Sequence, residues 1–214
     1  MRRLEDAALA DVPIFPLPHV VLFPEALLPL HIFEPRYRKM LADCLASNGL
    51  LVIAQVDRVG GRIADVAGVG AIVEHQPLPD GRSNIIVAGR ARVKLEQITV
   101  EDPPRYPYKR ARARRLVDVD ADVSEGDRTA LVAAATMFAA EVRKHDPSFG
   151  LRLPKGPDAG AIADACAFQL VVDANARQAI LEELDPRVRV RMVMDQLALQ
   201  HGAMLVEAKG RVLN

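Results

Sequence analysis

The chain has 214 residues, half of them apolar and 26% charged, with a formal net charge of zero. That length fits one large domain or two small ones with a real core. The zero balance supplies no global field toward nucleic acid or anionic membrane. The opening M-R-R-L-E-D-A-A-L-A-D carries acids where a secretory signal needs an apolar run. No stretch approaches the roughly 20 consecutive apolar residues of a spanning helix. Cys44 and Cys166 are the only cysteines and form no CxxC pair, so a reduced, cytoplasmic protein is expected.

Residues 1–11 read as a flexible tail. Residues 12–38, V-P-I-F-P-L-P-H-V-V-L-F-P-E-A-L-L-P-L-H-I-F-E-P-R-Y-R, carry six of the fifteen prolines. Proline fixes φ, removes a donor and pushes its predecessor out of the helical region. This stretch therefore cannot be one helix, yet it is apolar enough to require burial. Short extended pieces at Pro13–Leu17, Val20–Phe23 and Leu27–Phe33, with corners at Pro18 and Pro24, satisfy both demands. Such pieces suit a sheet edge or seam, where a missing ladder donor is tolerated.

Glu34-Pro35 opens a helix with proline at its first position. Tyr37, Met40, Leu41, Cys44 and Leu45 then fall on one face, and Asn48-Gly49 supplies the stop. Leu50–Val56 reads as a buried strand, and Asp57 to Gly61 as a turn. Gly68–Pro77 and Ser83–Val100 read as strands joined by a Pro79-Asp80-Gly81 hairpin, with a kink or bulge at Gly89. Ala91, Val93 and Leu95 alternate with Arg92, Lys94 and Glu96, the period of a half-buried strand. Tyr106–Val117 offers a last strand.

After an acidic link at 118–126 the period becomes helical. Ser124-x-x-Asp127 resembles a capping box. Leu131, Val132, Ala135, Phe138, Ala139 and Val142 share a face that ends at Asp146-Pro147. Asp158 caps a second helix bearing Ile162, Cys166, Gln169 and Leu170, Asp173 a third through Leu184, and Asp185-Pro186 a long last one toward Ala208.

Two separated stretches carry a family resemblance. I-F-P-L-P-x-V-V-L-F-P followed by L-P-L-x-I-F-E-P-R-Y-R-x-M-L resembles the N-terminal substrate-binding domain of Lon proteases, above all its stand-alone bacterial form. The same domain type occurs in cereblon. V-G-x-G-A-I-V…L-P-D-G-R…I-I-V-A-G-R-A-R-V is similar to that domain again, in the same order. The resemblance implies an α+β fold: a PUA-like β-barrel subdomain with one inserted helix over 12–117, then an α-helical bundle over 118–214. It also implies non-catalytic recognition of unfolded or hydrophobic protein segments, or of a protein partner.

Chemistry-bearing motifs are sparse. No GxxxxGK[ST] occurs, and Gly68-Val-Gly70 leads into a strand where a dinucleotide site needs a helix. Lon proteases carry ATPase and Ser/Lys peptidase domains after the resembling region, and this chain is expected to end before either. Ser47, Ser83, Ser124 and Ser148 sit in turn or cap contexts, none in a GxSxG elbow. His19, His31, Glu34 and His75 lack metal-site spacing. No catalytic residue, cofactor or metal is expected.

Two binding surfaces stand out. In the first, Arg36 and Arg38 flank an apolar groove under the Phe23–Leu28 loop, so Phe23, Leu27, Leu28, Glu34, Arg36 and Arg38 are candidates for gripping a polypeptide. The structural alternative leaves Glu34 at the positive helix end, Tyr37 in the core and both arginines solvated or paired. In the second, the basic run R-Y-P-Y-K-R-A-R-A-R-R places Tyr106, Tyr108, Arg110, Arg112 and Arg114 on one face if extended. That face suits single-stranded RNA, although the acids that follow could neutralise it. A small-molecule site remains a third possibility; gathering His31, Glu34, Arg36 and His75 in one cleft would favour it.

Overall fold

A computed structural model describes residues 9–56, 61–99 and 101–212, with side chains through 204. The α+β class holds, with six strands and five helices among the described residues. In order they are β1 (Val12–Leu17), β2 (Leu27–Ile32), α1 (Pro35–Leu45), β3 (Leu50–Gln55), β4 (Val66–Pro77), β5 (Ser83–Thr99), β6 (Arg110–Arg115), α2 (Glu125–His145), α3 (Ala159–Leu170), α4 (Ala174–Glu182) and α5 (Pro186–Val212). Contacts cluster into two units divided between Val117 and Asp118.

In the first unit one sheet runs β2-β5-β4-β3-β1-β6, and β6 also pairs with β5. Five strands thus close a ring of hydrogen bonds, with β2 attached outside it along β5. The β1–β3 pair is parallel and every other pairing antiparallel. Pairing skips Arg90 between Gly70↔Gly89 and Val69↔Ala91, so a bulge bends β5 beside Gly89 as the sequence suggests. Inside the ring, Ile14, Val52, Val69 and Val93 pack with Ala54, Ala67, Ala91, Ala111 and Ala113. Side chains this small fill a narrow interior. Leu9 belongs to this core and Asp11 pairs with Arg110; most of the segment expected as a tail, residues 1–8, lies outside the described residues.

A second core lies between the opposite sheet face and α1, built from Phe15, Leu22, Ile32, Tyr37, Met40, Leu41, Cys44, Ile53, Ile85 and Val87. Leu45, expected on the α1 core face, is instead exposed. Gly49 has φ of 70°, and its amide donates to Cys44 O at 2.9 Å, the left-handed stop anticipated from Asn48-Gly49. The turn expected at 57–61 falls largely outside the described residues.

The second extended piece departs from expectation. Residues 20–23 join no ladder; they form a strap across the sheet, with Val21, Leu22 and Phe23 buried. A Cβ on Gly68 would stand 2.0 Å from the Leu22 carbonyl oxygen, and one on Gly89 2.0 Å from that of Phe23. Only glycine admits a backbone this close. Turns follow Pro18 and Pro24, with His19 at φ 61° and Glu25 at φ 62°. Ala26 N–H closes the second turn onto Phe23 O at 3.2 Å, the pattern of a type II turn with a non-glycine at its positive-φ position.

The second unit is helical. Ser124 Oγ accepts from the Asp127 amide at 3.0 Å, while its hydroxyl donates to the Asp127 carboxylate at 2.8 Å. The shorter Asp therefore does not reach back as a capping-box Glu would. Asp158 and Asp173 cap α3 and α4 as expected. Arg189 of α5 is 1% exposed and clamps the Asp118 carboxylate through both terminal nitrogens. Its Nε lies 3.3 Å from Asp164, attracted but not aligned for a hydrogen bond.

Candidate functional site

The first unit carries a groove of about 490 Å³ floored by Phe15, Leu17, Leu30, Phe33 and Tyr37. It forms where the end of β1, the end of β2 and the start of α1 converge. Glu34, in extended conformation, is the N-cap of α1, with Pro35 at the first helical position. Its carbonyl accepts from the Arg38 amide at 2.9 Å, and its carboxylate holds Arg36 at 3.0 Å. The Arg36 guanidinium sits 4.5 Å above the Tyr37 ring, and Tyr37 packs on Phe15 with centroids 4.4 Å apart. Burial pushes the Tyr37 phenol pKa up, with Glu34 and Glu101 acting the same way against Arg36. Phe33 is 58% exposed and stacks on His31 at 6.0 Å. An uncovered aromatic ring on a wall of apolar side chains, rimmed by Glu34, Arg36, Glu101 and Lys109, suits an amphipathic chain.

The residues expected to grip a polypeptide separate. Glu34 and Arg36 line the groove. Leu27 is 54% exposed and Leu28 half-buried, both on β2. Phe23 is buried in the strap and offers no surface. Arg38 turns away; a Cβ on Gly81 would lie 2.1 Å from its guanidinium, which places Arg38 on the β4–β5 hairpin. The groove is thus not under the Phe23–Leu28 loop. Phe33, Phe15 and Leu17 line the groove but were not among the residues expected there, because an apolar run does not reveal which member stays uncovered.

The basic face is also divided. Arg112 and Arg114 point out from β6, alternating with buried Ala111 and Ala113, and Arg110 is half-buried. Tyr106 and Tyr108 precede the strand, so the alternation does not extend to them. Tyr108 turns inward and donates to the Asp43 carboxylate at 2.6 Å. Tyr106 remains half-buried beneath Arg110, whose guanidinium lies 3.7 Å from its ring centre. Arg110 is paired with Asp11, and Arg114 with Glu96 at 3.2 Å. Two of the three outward charges are therefore answered locally.

A second, open concavity of about 760 Å³ lies over β2, β5 and β4, lined by His31, Glu74, His75, Gln76 and Asn84. Most of its polar groups are hydrogen-bonded: His31 meets Asn84 at 2.8 Å, Asn84 donates to Gln76 at 3.3 Å, and His75 meets Ser83 at 3.1 Å. His31 borders both hollows, but His75 does not join Glu34 and Arg36. Among the described residues no group of three or more His, Cys, Asp or Glu could hold a metal ion. None of the described helices is long and apolar enough to cross a membrane. Burial pushes both cysteine thiols up to about 12, far from the thiolate range a nucleophile needs.

The chain is 26% identical over 204 residues to a Lon protease of Trichlorobacter lovleyi and 27% over 206 to one of Roseiflexus castenholzii. These alignments cover 92% and 94% of the chain but only 25% of each relative, so the chain spans about a quarter of their length. Among solved structures, the fold is similar to a Lon N-terminal domain protein from Xanthomonas campestris, at TM-score 0.66 and 21% identity, covering 86% of this chain and 97% of that one. It is also similar to the N-terminal domain of Mycobacterium avium complex Lon protease, at TM-score 0.65 and 15% identity, covering 88% and 98%. The family model of the ATP-dependent protease La (LON) substrate-binding domain matches residues 11–198. On that match the chain belongs to the Lon substrate-binding domain family.

Proposed function

We propose that this chain is a non-catalytic recognition module for polypeptide segments that expose apolar side chains. The observation that carries the reading is the uncovered Phe33 beside the Phe15–Tyr37 floor, in a chain of a substrate-binding family. Apolar residues of a bound segment would rest on Phe33, Leu30 and Leu17, with Arg36 and Glu34 contacting its polar flanks. Lys109 and Glu101 would do the same across the groove. Burial of apolar surface dominates such contacts, so affinity should depend weakly on salt.

The test is fluorescence anisotropy with a labelled, permanently unfolded model protein and a single-stranded RNA, each across a salt series. The unfolded chain should bind with a shallow salt slope. Phe33→Ala should weaken that binding fivefold to thirtyfold, on the order of a 1–2 kcal/mol contact, at unchanged stability. Steeply salt-dependent RNA binding without affinity for the polypeptide would overturn the reading.

A further inference from the structure

The outer strand β2 presents a directional row of backbone groups. Among the described residues it pairs only with β5 and stands last in the sheet order. The phase of its ladder follows from the preceding residue, because Gly89 N–H donates to Ala26 O at 2.8 Å. In an antiparallel ladder the residues that exchange bonds alternate. With Leu27↔Ala88 continuing in register to Ile32↔Ser83, Leu28, Leu30 and Ile32 turn their amides to β5. Leu27, Pro29 and His31 turn theirs away from it. Pro29 agrees independently, since a proline facing β5 would break the ladder.

The outward edge therefore offers the N–H groups of Leu27 and His31 and the carbonyls of Leu27, Pro29 and His31. Leu27, Pro29 and His31 are all exposed. The edge also ends at the groove, because Leu30 and His31 line it.

We propose that β2 receives an extended polypeptide segment as an added strand, and that the groove takes the alternate apolar side chains of that segment. The inference rests on the polypeptide-recognition reading above and specifies how the segment is held. A row of donors and acceptors at strand spacing is complementary to another extended backbone and to little else. Every second side chain of the added strand would lie beside Leu28 and Leu30 and reach Phe33. The backbone bonds do not depend on side-chain identity, so the site selects extended, apolar chain over a particular sequence. The missing Pro29 amide leaves one acceptor of the guest without a partner, which keeps the added strand exchangeable.

The probe is a labelled peptide of alternating valine and threonine. Two further versions carry N-methyl groups on either the odd or the even residues. One phase of methylation should weaken binding at least about tenfold, because it removes the amides that face β2, and the other should be tolerated. In hydrogen exchange, the His31 amide should gain at least about tenfold protection at saturating peptide. Equal binding of both methylated phases, or an unprotected His31 amide in the bound state, would overturn strand addition and leave polypeptide recognition standing. If neither the parent peptide nor the unfolded model protein binds, the underlying reading fails with it. Protection of His31 that appears without peptide and rises with protein concentration would replace the guest strand with a second copy of this chain.

Discussion

Replacing Gly68 by alanine tests the strap that organises the first unit. The new Cβ would stand 2.0 Å from the Leu22 carbonyl oxygen and 2.9 Å from its carbon, whereas ordinary contact begins at 3.4 Å. The strap must therefore move by more than an ångström. It cannot swing freely, because Glu25 N–H and Gly89 O (3.0 Å) and Gly89 N–H and Ala26 O (2.8 Å) tie it to β5. Lifting it uncovers part of Leu22 and Phe23, each worth about 1.5–3 kcal/mol when fully buried, and loosens those bonds. We expect a loss of about 3–5 kcal/mol, or about 10–20 °C in Tm. Guanidinium unfolding followed by tyrosine fluorescence isolates this unit, since Tyr37, Tyr106 and Tyr108 are the only tyrosines and all precede Val117. Gly202→Ala in α5, where a Cβ meets open space, is the control: it lies in the second unit and should leave the tyrosine transition unchanged, while stabilising its own helix by about 0.5–1 kcal/mol. A loss below about 1 kcal/mol for Gly68→Ala would refute the close backbone approach.

Tyr108→Phe removes the donor to Asp43 and should cost about 1 kcal/mol at neutral pH. Burial alone would raise the Asp43 pKa, but hydrogen bonds from Lys39 and Tyr108 together hold it below its usual value. The stability tied to that depression is therefore present above the unfolded carboxylate pKa and disappears as pH falls through the lower folded one. Denaturation curves of the two proteins should converge in acid; a difference that widens there would contradict the assignment. Arg189→Met removes the buried guanidinium shared by Asp118 and Asp164 and should cost the helical unit about 3 kcal/mol or more, read by far-ultraviolet circular dichroism; a change under about 1 kcal/mol would contradict it. Both thiols should resist Ellman's reagent at pH 8 until the protein is unfolded, given pKa values pushed up to about 12; rapid native labelling would contradict their burial. Glu25→Gly relieves a φ of 62° and should stabilise by about 0.5–1 kcal/mol in the same tyrosine assay; destabilisation would mean that this turn bears no strain.

Much of the architecture was legible because period and punctuation agree. Glu34-Pro35 and Asn48-Gly49 bracket α1, and Pro79-Asp80-Gly81 marks a hairpin whose Gly81 has φ of 79°. Residues 20–23 misled because an apolar run between prolines fits a strand or a buried strap equally. The decisive signal was present elsewhere: Gly68 and Gly70 are two apart on one face of β4, which marks a surface that admits no side chain. Arg92 alternates like a solvent residue yet is 4% exposed, since a sequence period does not reveal what packs above a sheet. The basic run misled through Pro107, whose presence argued against a strand beginning at Tyr106. Site residues were the least legible. Phe23 and Phe33 look alike as letters, and only tertiary packing buries one and leaves the other in water.

The glycine at 89 and the proline at 29 have a joint consequence for how β2 is read from outside. Sliding β2 by one residue against β5 would reverse the facing of every side chain on it. It would also aim the Pro29 nitrogen at β5, where a bond would be lost. Meanwhile the close fit of Phe23 O on Gly89 holds the entry to β2 at a fixed place on its neighbour. The phase of the outer edge is thus set by two absences, a Cβ at one position and an amide hydrogen at another. Side chains along β2 can accordingly vary without changing which backbone groups it offers.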